Sequence, residues 1–251
     1  MSLLELVVSR YDEDLSWLGN VPDAFVITVY DKGGEANSGI RHRGSSIPIE
    51  NVGHEAHTYL HHIVTRYDDL ADITVFSQGK PFDHVPDFHR TLKRLAESSL
   101  DVKDFLWLGF VIDRDDSTGS LLFRKWHPGK KLPMEEFWQR VFSASEFPTP
   151  SFCIFCPGAH FVATAALIRS RPREFYENAL NASADLPDAG HCFERCWDQV
   201  FGVNGIPEKY RDREYPIYFR PVRRLGITWD DVPPEARPWT KEEARSRGAP
   251  R

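Results

Sequence analysis

Cysteine and methionine are scarce: four Cys and two Met among 251 residues. Cys153 and Cys156, like Cys192 and Cys196, have a spacing that zinc sites share, but the first pair stands in an apolar run where an odd offset sends the two side chains to opposite faces of a strand. Buried small hydrophobes are the better reading for these thiols. No run of about 18 apolar residues is present to cross a bilayer, and the N-terminus lacks the basic-then-apolar order of a signal peptide. A cytoplasmic chain with reduced thiols and no transmembrane segment is therefore expected. Also missing are internal repeats, coiled-coil heptads and long low-complexity segments. The net charge of -6 opposes attraction to phosphate backbones, so no nucleic-acid partner is expected, while a local basic pocket for a nucleotide diphosphate stays compatible with it. What is present is the material of a folded core, 41% hydrophobic and 13% aromatic residues.

Apolar runs at 4–9, 24–30 and 73–76 alternate with helical patterns, which predicts an α/β fold with a mixed, largely parallel central sheet flanked by helices. A Gly/Ser-rich loop is expected from Gly33 to about residue 46. Helices are expected over 85–98, 134–143, 165–184 with a break near Pro172, and 192–201. Further strands are expected over 105–112, at 152–155, and over 157–162 as a strand crossing near the site. Residues 1–227 read as one domain, and 228–251, rich in Pro, Glu, Arg and Lys, as a loosely held tail.

The stretch Asn51-Val52-Gly53-His54-Glu55-Ala56-His57-Thr58-Tyr59-Leu60-His61-His62-Ile63 organises the rest. Ala56, Tyr59, Leu60 and Ile63 recur at a helical period and pack, whereas Glu55, Thr58 and His62 fall elsewhere. Asn51 and Gly53 suit a turn of unusual backbone conformation, and the amides that open the helix offer an anion site. His54-Glu55 begins like the zinc motif H-E-x-x-H, but Thr58 stands where the second His belongs, and His57 and His61 lack a clear third ligand. Asp113-Arg114-Asp115 mimics a metal-holding D-x-D, yet the run to Gly119 is ordinary hairpin-turn chemistry, and the turn is the better reading.

Five ordered motifs carry a resemblance. They are Val7-Val8-Ser9-Arg10-Tyr11-Asp12-Glu13-Asp14-Leu15-Ser16-Trp17-Leu18, the Asn51 to Ile63 stretch, Val75-Phe76-Ser77-Gln78-Gly79, Pro157-Gly158-Ala159-His160-Phe161, and Phe193-Glu194-Arg195-Cys196-Trp197-Asp198-Gln199-Val200-Phe201-Gly202. Together they resemble a family of fungal and bacterial proteins catalogued as a domain of unknown function. That family in turn looks similar to nucleotide-sugar glycosyltransferases of the A-type fold.

The resemblance implies transfer of a sugar from a nucleotide-sugar donor to a hydroxyl acceptor, a glycan or a small molecule. It places Arg10, Tyr11 and Glu13 at the nucleotide and Asn51, Gly53 and Glu55 at the ribose or sugar. It counts Gln78 and Gly79 among the donor-binding residues, with Gln78 and His84 near the position of an acidic metal motif, and puts Gly158, Ala159 and His160 at the acceptor. Ser77-Gln78-Gly79 is no D-x-D, so either Asp83 and His84 supply weak ligands to Mn or Mg, or transfer is metal-independent with Lys80 or an Arg neutralising the diphosphate. Glu194 is implied as general base, apt if burial raises its pKa toward neutrality, with a structural ion pair to Arg195 as the competing reading. Two rivals stand beside the transferase: a non-catalytic carbohydrate- or nucleotide-binding module on the same fold, and a metal-dependent hydrolase built on His57, His61 and His84.

Overall fold

In β1, Leu4–Arg10, every residue is buried, as expected of a strand in the middle of a parallel sheet covered on both faces. The computed structural model describes residues 2–33, 44–142, 148–211, 214, 216–219, 228, 230, 232, 236 and 237. Most of the predicted tail and residues 34–43 of the Gly/Ser-rich loop lie outside them. After β1 the chain makes a 3-10 turn at Ser16–Asn20, then β2 (Phe25–Asp31), β3 (Ser45–Pro48), α1 (His54–Arg66) and β4 (Ile73–Gln78). There follow α2 (Phe88–Ala96), β5 (Phe105–Trp107), β6 (Val111–Asp116), α3 (Phe123–Trp126), α4 (Met134–Phe142), β7 (Phe152–Phe155) and β8 (Phe161–Thr164). Then come α5 (Ala165–Ile168), α6 (Arg173–Asp185), α7 (Ala189–Glu194), α8 (Trp197–Val200) and β9 (Ile217–Tyr218).

The main sheet has the order β3-β2-β1-β4-β8-β5, with β8 antiparallel to both its neighbours and the remaining pairs parallel. The expected mixed, largely parallel α/β architecture is what the chain adopts. From β1 the strands step outward through β2 and β3, and the chain then returns to place β4 on the other side of β1. That reversal leaves a switch point between β1 and β4, and crevices at switch points open at the carboxyl ends of the strands. Two apolar clusters cover the sheet. One holds Val7, Tyr30 and Phe76 with α1, α6 and α7, and the other holds Leu6, Val8 and Val75 with Trp17, Leu18 and α2.

Several expected boundaries move, each for a local reason. Residues 45–48, expected to begin in loop, pair with β2 as an exposed edge strand. The run 105–112 is two strands in different sheets, parted at Gly109, where an added Cβ would stand 2.9 Å from the Cys156 Cβ. Residues 152–155 and 161–164 likewise separate, β7 joining β6 in a small sheet and β8 joining β4. The helix expected over 192–201 breaks into α7 and α8 at Arg195-Cys196. Asp113 and Asp115 lie inside β6 rather than in a turn, which begins only after Asp116. Thr58 and His62 of α1, expected away from the packed face, are fully buried: the Ser9 hydroxyl donates to Thr58 Oγ1 (2.9 Å), and His62 Nδ1 lies 3.1 Å from the Tyr30 hydroxyl. A helix wedged between a sheet and two further helices buries more than one stripe.

Candidate functional site

The polar ends of β1, β2 and β4 and the first turn of α1 meet on one edge of the sheet. Asp31-Lys32 closes β2, and Lys32 reaches forward so that Nζ donates to the carbonyls of Val52 and His54, fixing the turn that opens α1. Burial lowers the Lys32 pKa to about 8 against the opposing pull of Glu55 and Glu50. Gly53 takes the left-handed conformation (φ 59°), where an added Cβ would stand 2.4 Å from the Ser183 carbonyl oxygen of α6. The second left-handed residue of this turn is His54 (φ 51°), not Asn51, which is exposed at the rim. Ala159 and Asp188 are also left-handed, so three of the four described non-glycine residues with positive φ flank the same cluster. Such backbone costs about 1–2 kcal/mol each and gathers at functional sites.

Glu55, from that first turn, lies beside Gln78 at the end of β4 and within the field of Glu194 at the end of α7. The two carboxyls are pushed in opposite directions. Burial, then repulsion from Glu194, raises Glu55 to about 7. Burial alone would raise Glu194 as well, but the His191 ring, whose Nδ1 stands 3.8 Å from Oε2, the Arg195 guanidinium and the Gly158 amide together bring it down to about 2. The Gly158 N–H donates to Glu194 Oε1 at 2.6 Å, and Arg195 Nη1 stands 3.3 Å from Oε2. The ion pair between neighbours is therefore present, and the rise in proton affinity expected of Glu194 belongs to Glu55.

Arg195 is itself held by Asp115, whose Oδ2 accepts from its Nε (3.0 Å) and Nη2 (2.9 Å). Asp115 is fully buried and also accepts the amides of Asp116, Leu121, Leu122 and Phe123, so its lone pairs are committed and the D-x-D likeness carries no metal site. Its role is to anchor the Arg195 that holds Glu194.

Gly158 (φ 100°) packs on His84, where a Cβ would stand 2.4 Å from the ring. Gly158→Ala is therefore expected to displace His84 and loosen the amide on Glu194, lowering stability by about 1–3 kcal/mol in urea unfolding. An unchanged midpoint would contradict the packing described. His160 is fully buried with both ring nitrogens lacking hydrogen-bond partners, 6.0 Å from the His84 ring centroid, and burial lowers its pKa to about 3. It is a neutral imidazole lying behind Gly158. Ala159, beside it, is also fully buried.

A second group lies beyond Gln78. Arg10, 1% exposed, donates through Nη1 to Asp31 Oδ2 (2.8 Å) and through Nε to the Glu13 carbonyl (2.9 Å), leaving Nη2 buried without a partner. The Glu13 carboxylate accepts the Tyr11 amide at 2.7 Å and lies against Gly79, where an added Cβ would be 2.7 Å from Oε2; Tyr11 itself is exposed. Trp17 Nε1 donates to the Gly79 carbonyl at 2.8 Å. Between the two groups stands the buried Tyr59 hydroxyl, without a hydrogen-bond partner and raised well above its usual pKa by burial and then by Glu55 and Glu13.

Of the residues expected at the site, Arg10, Glu13, Glu55, Gln78, Gly79, His84, Gly158, His160 and Glu194 gather along this edge. Lys32 and Tyr59 join them as polar contributors that no motif marks, although the polar Asp31-Lys32-Gly33-Gly34 run after an apolar stretch is the kind of strand end that signals the first. Asp83 Oδ2 is 3.1 Å from Lys80 Nζ, and no three His, Cys, Asp or Glu converge on a metal position among the described residues, His57, His61 and His84 included.

The family model "Protein of unknown function (DUF3431)" matches residues 6–213, which contain every one of these side chains. The chain belongs to that family. No curated protein matches. One solved structure that matches is CMP:2-keto-3-deoxy-manno-octonic acid synthetase complexed with CTP, at 11% identity and a TM-score of 0.33, covering 72% of this chain and 83% of that one. So loose a likeness assigns no role to any residue of this family member. No helix among the described residues is long and apolar enough to cross a membrane.

Proposed function

We propose that this protein is a metal-independent glycosyltransferase of A-type layout that moves a sugar from a nucleotide-sugar donor to a hydroxyl acceptor. The observation that supports this reading is the Glu55–Glu194 pair, two neighbouring carboxyls with opposed proton affinities at the carboxyl edge of the β1/β4 switch point. Environments that drive two carboxyls apart mark an acid–base site. The donor diphosphate lies across the opening of α1, met by the helix amides, by the unpartnered Arg10 Nη2 and by Lys32. Arg10, Tyr11, Glu13 and Gly79 border the base and ribose, Asn51, Gly53 and Gln78 the sugar, and Gly158 the acceptor, with Ala159 and His160 behind it.

Glu55, ionised for a good part of the time near neutrality, takes the proton from the acceptor hydroxyl as its oxygen attacks the anomeric carbon. The bond to the diphosphate breaks and its electron pair leaves on the phosphate oxygen. Glu194, held ionised, stabilises positive charge developing on the sugar ring. The test is release of nucleoside diphosphate from a panel of nucleotide sugars, with and without simple alcohols as acceptors. Turnover by the parent and its loss in Glu55→Gln is expected. Binding without turnover would leave the fold as a non-catalytic module, and neither binding nor turnover would overturn the reading.

A further inference from the structure

The turn after β6 runs into α3 and then to the start of α4, and from Ser117 to Met134 it carries Arg124, Lys125, Lys130 and Lys131 with no Asp or Glu. In a chain of net charge -6 this is a concentrated cationic segment. Trp126 at its centre is 77% exposed and Leu121 is 41% exposed. Lys130 lies 3.5 Å from Asp188, whereas Arg124, Lys125 and Lys131 have no carboxylate within ion-pair distance among the described residues. The segment is held firmly from beneath. Asp115 accepts the Leu121, Leu122 and Phe123 amides, and the His127 ring stacks on Phe123 (4.5 Å) and stands 4.8 Å from His191. It therefore presents an exposed indole and cations on a fixed base beside the Glu194 cluster.

We propose that this segment docks the protein on an anionic lipid surface. Indole rings settle at the headgroup level of a bilayer, an exposed Leu adds apolar contact there, and lysine or arginine next to them pairs with acidic headgroups. A soluble polyanion without apolar groups, such as dextran sulfate, would satisfy the cations but offer no place for Leu121 and Trp126. The negative charge elsewhere does not forbid docking, because at physiological salt the screening length is about 8 Å and the nearest charges dominate. Docking in this pose brings the Glu194 edge toward the headgroups. The inference stands on the segment alone and does not depend on the transferase reading.

The experiment is co-sedimentation of the full chain with vesicles of phosphatidylcholine alone and of phosphatidylcholine mixed with phosphatidylserine. Binding is expected only to the mixed vesicles and is expected to vanish in about 1 M salt, where the screening length falls to about 3 Å. Each cation removed should lower partitioning about fivefold, so a combined Arg124→Gln, Lys125→Gln, Lys131→Gln variant should lose about a hundredfold. Trp126→Ala should lose about tenfold. Lys125, Trp126 and Lys131 are exposed and Arg124 half-buried, so thermal midpoints should match the parent closely and a loss of binding cannot be assigned to unfolding. Equal binding to both vesicle types, parent-like binding by the triple variant, or binding to dextran sulfate with none to vesicles would each overturn the proposal.

Discussion

Asp115→Ala should lower the free energy of unfolding by about 3–5 kcal/mol, a large part of the 5–15 kcal/mol typical of a folded domain. The carboxylate is fully buried, receives two nitrogens of Arg195 and four backbone amides, and its removal strands a buried guanidinium and uncaps the turn into α3. Arg195→Met should cost a similar amount, for the converse reason that Asp115 is left without its cation. The double variant should lose less than the sum of the two, since neither charge is then left alone. Urea midpoints of the four proteins test this. A loss under about 1 kcal/mol in either single variant would mean that the pair is solvated rather than an anchor.

Glu55→Gln should remove a pH dependence of stability and, on the proposed function, most of the turnover. Burial raises the Glu55 carboxyl from 4.5 to about 7, so the folded chain binds this proton more tightly than the unfolded one. Its stabilising contribution is whole below about pH 4.5, declines across the interval to 7, and is absent above, a change of about 3 kcal/mol. Glu194 works in the other direction. Held at about 2, it contributes above pH 4.5 and is lost as pH falls from 4.5 toward 2. His62 and His160, kept neutral by burial with pKa values of about 3, add stability that grows as pH rises toward 6.5. The diagnostic is thus the difference between parent and Glu55→Gln, which should widen in favour of the variant from pH 5 to pH 8. Turnover should fall about 10²–10⁴-fold, and the parent rate should rise with pH through an apparent value near 7. A constant difference across pH would show that Glu55 titrates normally.

The strands were legible because burial leaves a plain mark: the runs Leu4 to Ser9 and Ile73 to Phe76 sit at the sheet centre as their mainly apolar composition required, with Glu5 and Thr74 buried among them. The opening of α1 was legible from Gly53, whose left-handed backbone few other residues tolerate. What misled were residues whose setting is tertiary. Asp113-Arg114-Asp115 has the composition of a turn, and only the arrival of Arg195 from 80 residues away makes Asp115 a buried strand residue. The proton affinities of Glu55 and Glu194 were equally hidden, since burial acts on both and only Glu194 is also met by Gly158, His191 and Arg195, and no local spacing records which carboxyl receives these donors. The run 105–112 reads as one strand because the close approach of Cys156 to Gly109 is invisible until the chain folds.

The most direct measurement is a thermal-shift titration of the full chain with nucleoside diphosphates and nucleotide sugars, repeated with EDTA and with manganese. A ligand bound only by the folded state stabilises it by about 2.7 kcal/mol at a hundredfold excess over its dissociation constant. One nucleotide series should raise the midpoint equally in EDTA and in manganese, and the shift should shrink in Lys32→Met, which frees the turn that opens α1. No shift with any nucleotide, or a shift that appears only with manganese, would contradict a metal-independent nucleotide-sugar site at this edge.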